Sequence, residues 1–400
     1  MALKFVDEVE LEGKKIIARF DFNVPLRKED GKMVITDTSR VDAAMRTIRY
    51  ALEQGASKLV LMSHLGRPKG KRVEDMSLEP VANYLAEQLG RDVVLTESCT
   101  DRGIKTLLGL NETKVVLLEN LRFHPEEEKN DRDFAKTLAS YGDVYVNDAF
   151  GAAHRKHAST YEINAFFKNQ AVGGFLLKDE IKSLEKVVET PQKPFVAILG
   201  GAKVSDKIKI IQTLLPKVNH LLIGGAMAYP FLKAKGYSVG SSLCEEDDVQ
   251  LANQILRGQG KEKVHLPVDH IVSSSPEGDG EATPGESIPD DLMGLDIGAK
   301  TLDRYRALIQ EAKTVLWNGP MGLFEKQEYA KGTFSVAKSV AEVTQRGAFS
   351  LVGGGDSVSA VHQSGLGDQF SHVSTGGGAS LEYIEKGSLP GIQALKFGLD

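Results

Sequence analysis

FVAILGGAKVSDK, residues 195–207, runs from five apolar residues fit for a buried strand, through two glycines, to lysines that lead into a helical pattern. The same order recurs in HLLIGG (220–225), TVLWNG (314–319), FSLVGG (349–354) and SHVSTGG (371–377). Upstream, KIIARF (15–20), KLVLMS (58–63), KVVLLEN (114–120) and DVYVND (143–148) are runs of the same kind, but polar residues close them. Helical stretches lie between the runs. Strand alternating with helix predicts parallel sheets covered by helices, and continuous apolar character suits strands buried on both faces. The fold class expected is α/β with doubly wound parallel sheets. Ligands of such sheets bind beyond the carboxyl ends of the strands, where the polar and glycine residues fall here.

A chain of 400 residues exceeds the roughly 250–300 at which single cores stop growing, so two domains are expected. Leu176–Val188, with Leu177, Ile181, Leu184 and Val188 at helical spacing, separates the two kinds of strand ending and is the candidate interdomain helix. Asp37-Thr38-Ser39 precede a helical pattern through Val41, Ala44, Ile48 and Leu52 that ends at Gly55. Residues 274–291, rich in acid, Gly, Pro and Ser, read as a surface loop with a short strand, and Glu126–Lys129 as a solvated helix start or loop.

Hydrophobic content of 41% and charged content of 26% are ordinary for a soluble globular chain. A net charge of −6 argues against broad nucleic-acid or membrane surfaces. Only Cys99 and Cys244 are present, which excludes a disulfide framework and suits a reducing compartment. The amino terminus carries charges where a signal peptide needs an apolar segment, and no run approaches the roughly 20 residues that cross a bilayer. A cytoplasmic protein is expected.

The two kinds of strand ending imply two anions. Arg19, His64 with Arg67, and Arg122 offer side-chain cations, whereas the later glycines let main-chain N–H groups and helix starts approach phosphate oxygens. Any one glycine cluster alone also fits a plain strand-to-helix turn. Neither G-x-x-x-x-G-K-[ST] nor a helix-opening G-x-G-x-x-G is present. Asp356, just past three glycines, suits either Mg²⁺ on a nucleotide phosphate or helix N-capping. Arg40 opens a helix, where a cation is unfavourable unless an anion or a salt-bridge partner sits nearby. Asp21 and Asn23 share a face of an extended strand and can both bond one small hydroxy acid. His154 and His157 form a weak zinc signal, and Glu325 suits either ribose hydroxyls or a solvated turn.

Apart from Arg40, these residues sit in segments that together resemble the phosphoglycerate kinase family: RFDFNVPL (19–26), SHLGRP (63–68), LLENLRFHPEEE (117–128), GDVYVNDAFGAAHRKHAS (142–159), ILGGAKVSDK, LLIGGAMA, LPVDH, WNGPMGLFE (317–325), VGGGDS and HVSTGGGASLE (372–382). The resemblance spans nearly the whole chain, in the family's order, to LPG at 389–391. It implies two Rossmann-like domains joined by a helix. Residues 1–172 with 387–400 would bind 3-phosphoglycerate, 173–190 would be the connecting helix, and 191–386 would bind nucleotide.

It further implies a glycerate site of Asp21, Asn23, Arg40, His64, Leu65, Gly66, Arg67, Arg122 and Arg155. The implied nucleotide site is Gly201, Lys203, Lys207, Gly225, Asn318, Pro320, Glu325, Gly354, Gly355, Asp356 and Ser357, with Asp356 nearest Mg²⁺. Arg40, Lys203 and the amides of Gly376 and Gly377 would act on the moving phosphoryl. The expected partners are 1,3-bisphosphoglycerate or 3-phosphoglycerate and MgADP or MgATP, with no nucleic acid or membrane, and a monomer is expected. Phe20, Ala226 and Ser357 depart from the family's common Val, Gly and Thr. Two other readings stand beside this one: a kinase of another small carboxylate, and a non-catalytic nucleotide-binding protein of the same fold. The arginines near HLGR and AHRKH argue against the first, because a small monoacid has no distal phosphate to occupy them.

Overall fold

The computed structural model describes residues 3–399; residues 1, 2 and 400, assigned above to the amino-terminal domain, lie outside them. The chain divides into two compact units, one running to Lys182 and resuming at Ser388, the other Ser183–Gly387. The division falls within the helix Phe175–Val188.

The first unit is built on six parallel strands: β1 (Lys15–Phe20), β2 (Lys58–Met62), β3 (Val93–Leu95), β4 (Val115–Leu117), β5 (Val144–Asp148) and β6 (Ala171–Gly173), in the order β3-β4-β2-β1-β5-β6. Every residue of β2, β4 and β5 is buried, which accounts for the unbroken apolar runs. Ile16, Ile48, Leu59, Leu61 and Val146 share one core, each worth roughly 1.5–3 kcal/mol of transfer free energy. Phe20 is fully buried and stacks on Phe22 with 5.3 Å between ring centroids. The tail returns to this unit: the helix Pro390–Phe397 docks where the Gly391 amide donates to Ala153 O at 2.9 Å.

The second unit carries β7 (Phe195–Leu199), β8 (His220–Ile223), β9 (Val264–His265), β10 (Thr314–Asn318), β11 (Phe349–Gly353) and β12 (His372–Val373), all parallel, in the order β9-β8-β7-β10-β11-β12. Its order reverses between β7 and β10, the place where doubly wound sheets bind ligands. Trp317 and Tyr305, both fully buried, fill the core beneath.

Several sequence expectations change. The strands at 93–95, 171–173 and 264–265 went unread: two or three residues carry no period, and the equally short Val115–Leu117 and His372–Val373 were read only from the longer runs around them. So did the hairpin Leu26–Glu29 with Lys32–Ile35 and most of an antiparallel sheet of Glu281–Ala282, His270–Ser273 and Met293–Ile297. The helix after β7 begins only at Ile208, so the glycines at 200–201 do not open it directly. Glu127 is not solvated: it is fully buried within the short helix Pro125–Glu128. Asp356 does not cap its helix, since Gly354 holds that position and Asp356 stands in the first turn of Gly355–Ser364.

Candidate active site

In the first unit the polar residues gather just beyond the carboxyl ends of β1, β2 and β4. The β1 strand ends at Phe20, so Asp21 and Asn23 do not share a strand face. They occupy a turn in which the Asn23 amide donates to Asp21 Oδ1 at 3.2 Å. Gly66 clasps two neighbours: its amide donates to Asn23 Oδ1 at 2.8 Å and its carbonyl accepts from Arg122 Nη1 at 2.9 Å. Leu65 is a buried core residue whose backbone is held by the Asn120 side chain, with Leu65 N donating to Oδ1 at 3.2 Å and Leu65 O accepting from Nδ2 at 2.7 Å. Asn120 also receives the Arg122 amide at 3.1 Å and so sets the arginine's direction.

Arg40 Nη1 donates to Asp21 Oδ2 at 2.8 Å. Arg155 is half-buried and donates from Nε to His154 Nε2 at 3.1 Å, while Arg67 is exposed. Burial would raise the Asp21 carboxyl, but charge from His64 whenever its ring is protonated, and from Arg40 and Arg19 at all times, holds it below the ordinary range. Burial pushes His64 well below the ordinary histidine range, and Arg19, Arg122 and Arg40 add to that against the pull of Asp21. His64 is therefore neutral at neutral pH, and the fixed positive charge of the site is that of its arginines.

Beneath this surface lies a layer of which only Arg19 was read from the sequence, and there as a cation for an anion, not as the buried residue it is. Arg19 is fully buried, with Nε donating to Ser159 Oγ at 2.9 Å and Nη2 3.1 Å from His64 Nδ1. Ser159 in turn donates to Glu127, from Oγ at 2.6 Å and from its amide at 2.9 Å. The sequence signal for this layer was weak: an acidic run after LRFHP and a serine closing the AHRKHAS segment.

In the second unit the site is a meeting of backbones. A Cβ on Gly200 would lie 2.0 Å from Pro320 O, and one on Gly354, whose φ is +92°, would lie 2.5 Å from Asn318 Nδ2. Only glycine permits both approaches. Asn318 is buried, donates from Nδ2 to Gly353 O at 2.7 Å, and accepts the Lys207 ammonium on Oδ1. Burial lowers the Lys207 pKa, opposed by the charges of Asp206 and Asp356.

Ser357 is buried and accepts the Gly319 amide at 2.5 Å, so its hydroxyl fastens the loop after β10 to the helix Gly355–Ser364. The first-turn amides of that helix have no intrahelical acceptors and can face an anion. Gly201 and Gly225 both adopt positive φ, and the Gly225 amide is used by Met321 O at 3.0 Å. Glu325 and Asp356 are exposed. Lys203 pairs with Glu245 at 2.6 Å on the surface.

The Gly376 amide is also taken, donating to Ser374 Oγ at 3.1 Å. Of the two glycines expected to face the moving phosphoryl, Gly377 is the one that caps the helix Gly378–Lys386, with φ of +51°. Among the described residues no group of three or more His, Cys, Asp or Glu side chains gathers as a metal cage. A divalent cation at Asp356 would therefore draw most of its oxygens from a bound phosphate and from water.

The phosphoglycerate kinase family model matches residues 6–387. Phosphoglycerate kinase of Anaeromyxobacter sp. (strain Fw109-5) is 54% identical over 403 residues, covering 99% of this chain and 100% of that protein. The enzyme of that name from Chlorobium phaeobacteroides (strain BS1) is 49% identical over 400 residues, with 99% and 100% covered. Among solved structures, phosphoglycerate kinase from Coxiella burnetii superposes with a TM-score of 0.88 at 38% identity, covering 98% of this chain and 99% of that one. The Pyrococcus horikoshii OT3 enzyme superposes at 0.83 with 32% identity and 98% of each chain covered. An arginine-lined turn in one doubly wound unit, a glycine-lined one in the other, and likeness along the full length together place this chain in the phosphoglycerate kinase family.

Proposed function

We propose that the chain transfers the acyl phosphate of 1,3-bisphosphoglycerate to MgADP, giving 3-phosphoglycerate and MgATP, and runs the reverse reaction. The observation that carries this reading is the pairing, in a member of this family, of two anion sites of unlike construction. Arginines around Gly66 form one, and backbone amides with Lys207 form the other.

Both nucleophiles, a carboxylate and a terminal phosphate oxygen, are ionised at neutral pH, so no general base is needed. The barrier is repulsion between anions. Catalysis then consists of positioning and of positive charge around the moving group. We assign Arg122, Arg155, Arg67 and neutral His64 to the glycerate's phosphate and carboxylate, with Asp21 and Asn23 for its hydroxyl. Arg40, Lys203 and the Gly377 amide go to the transferring phosphoryl, and Lys207 with the first turn of Gly355–Ser364 to the nucleotide phosphates. Lys203 can leave Glu245, because an exposed pair is worth only about 0–1 kcal/mol. Asp356 would hold the Mg²⁺ that accompanies the nucleotide and neutralises phosphate charge. Asn318 and Ser357 act through the loops they fasten.

The two groups of residues belong to different units, and we assign to a closing motion about the segment that joins them the step that brings both to one phosphoryl. A monomer acting in the cytoplasm fits this reading; among the described residues no helix is long and apolar enough to cross a membrane. The test is a coupled assay with 3-phosphoglycerate and MgATP, omitting each in turn. Product formation that needs both is expected. ATP consumption with acetate or aspartate in place of 3-phosphoglycerate, or none with any acceptor, would overturn the reading.

A further inference from the structure

The buried layer under the first site is a chain of donors with a fixed direction. Glu127 is fully buried and accepts both the hydroxyl and the amide of Ser159, at 2.6 and 2.9 Å. With its proton committed to Glu127, the Ser159 hydroxyl can offer only lone pairs to Arg19, and Arg19 Nε donates to it at 2.9 Å. Arg19 has no solvent exposure, and its Nη1 donates to the Phe20 carbonyl. Its remaining terminal nitrogen, Nη2, lies 3.1 Å from His64 Nδ1.

A guanidinium has five donors and no acceptor. His64 Nδ1 must therefore present its lone pair, and the one ring proton must sit on Nε2. Protonating Nδ1 would set a donor against a donor beside a buried cation.

We propose that Ser159 and Glu127 are positioning residues which, through Arg19, hold His64 as the neutral tautomer protonated at Nε2, so that the glycerate site meets a directed N–H donor and not a cation. The groups that face His64 agree with this. Three arginines, Arg19, Arg122 and Arg40, oppose its protonation and only Asp21 favours it. The division of labour follows: arginines supply charge, and His64 supplies direction. Glu127 has a second task, since a buried arginine without a nearby carboxylate would carry a heavy desolvation cost. Its shared contact with Ser159 links charge compensation to the orientation of the ring.

The tautomer assignment stands on the hydrogen bonds alone, whereas its effect on substrate rests on the glycerate reading given above. The test separates the two. The full-length chain labelled with ¹⁵N is examined by long-range proton–nitrogen correlation of its nine histidines, with His64 identified by its loss in His64→Gln. An unprotonated Nδ1 and a protonated Nε2, unchanged from pH 8 to pH 6, are expected. In Ser159→Ala the His64 nitrogens should move toward tautomer-averaged positions, while burial and the three arginines still oppose protonation of the ring. KM for 3-phosphoglycerate should rise about threefold to tenfold, with kcat within about twofold.

Ser159→Thr, which keeps the hydroxyl, should restore the wild-type spectrum, and Glu127→Gln should perturb it if Ser159→Ala does not fold. Nδ1 protonated in the wild type, or spectra unchanged in both Ser159→Ala and Glu127→Gln, overturns the proposal. A spectrum that responds as stated while 3-phosphoglycerate binding stays constant upholds the relay and removes His64 from the glycerate site.

Discussion

Arg40 and Asp21, both assigned to substrate, are bonded to each other, with Nη1 and Oδ2 2.8 Å apart. The arginine is 38% and Asp21 18% exposed, and Arg19 still compensates Asp21 if Arg40 is lost, so the pair is worth roughly 1 kcal/mol to the fold. A cation at the start of a helix is itself mildly unfavourable, and the helix Ser39–Glu53 would tolerate its loss. The position is better explained by a substrate anion than by stability. Arg40→Ala should lower kcat about 10²-fold or more while leaving MgADP affinity and melting temperature nearly unchanged. Steady-state kinetics, calorimetric titration with MgADP and a thermal melt decide this; ordinary turnover would remove Arg40 from the phosphoryl.

In the second unit the corresponding weak point is backbone. A methyl group on Gly354 would enter the space of Asn318 Nδ2, and its backbone, with φ +92° and ψ 138°, costs a residue with a Cβ roughly 1–3 kcal/mol. Asn318 carries Lys207, so displacing one disturbs the other. Gly354→Ala should raise KM for MgADP about tenfold or more and leave 3-phosphoglycerate binding intact. Lys207→Met should weaken MgADP in the same way without the backbone cost. Equal loss of both substrates in Gly354→Ala would point to general unfolding of the unit.

What could be read in advance follows from how far along the chain each signal reaches. Nine runs predicted strands, and the helix before Gly55 and the connecting helix declared themselves by period and by their flanking residues. Two- and three-residue strands such as Val264–His265 have no period, and their pairing partners lie far away in sequence. The same holds for the sites. His64 and Lys207 stand in motifs and Arg40 at a helix start, but Glu127 looked like one acid in a solvated run, because its burial depends on Ser159, 32 residues later. The taken amide of Gly376 and the surface pairing of Lys203 are likewise properties of packing, which residue types do not encode.

The groups proposed for one phosphoryl come from both units, Arg40 from the first and Lys203 with Gly377 from the second. Reacting atoms must approach to about 3–3.5 Å. With 3-phosphoglycerate and MgADP, a pair that binds but cannot react, small-angle scattering should show a smaller radius of gyration than with either alone. An unchanged radius under all conditions would remove the closing motion from the proposal.

Asp148 supplies a pH test of the connecting helix itself. Its Oδ1 accepts the Leu177 amide at 2.9 Å in the first turn of Phe175–Val188, and burial, despite bonds from Thr47 and that turn, raises its carboxyl to about 7. Because the folded value lies above the unfolded one, the stability tied to the protonated group is complete below about 4 and is lost as pH rises through about 7. The expected slope is roughly 1.4 kcal/mol per pH unit across that window. Asp148→Asn keeps an acceptor for the Leu177 amide and cannot ionise, so its stability relative to the wild type should improve steadily from pH 5 to pH 7 and then level off. Urea denaturation followed by far-ultraviolet circular dichroism at each pH measures that difference, and a difference constant with pH would mean that Asp148 is already ionised in the folded chain at pH 5.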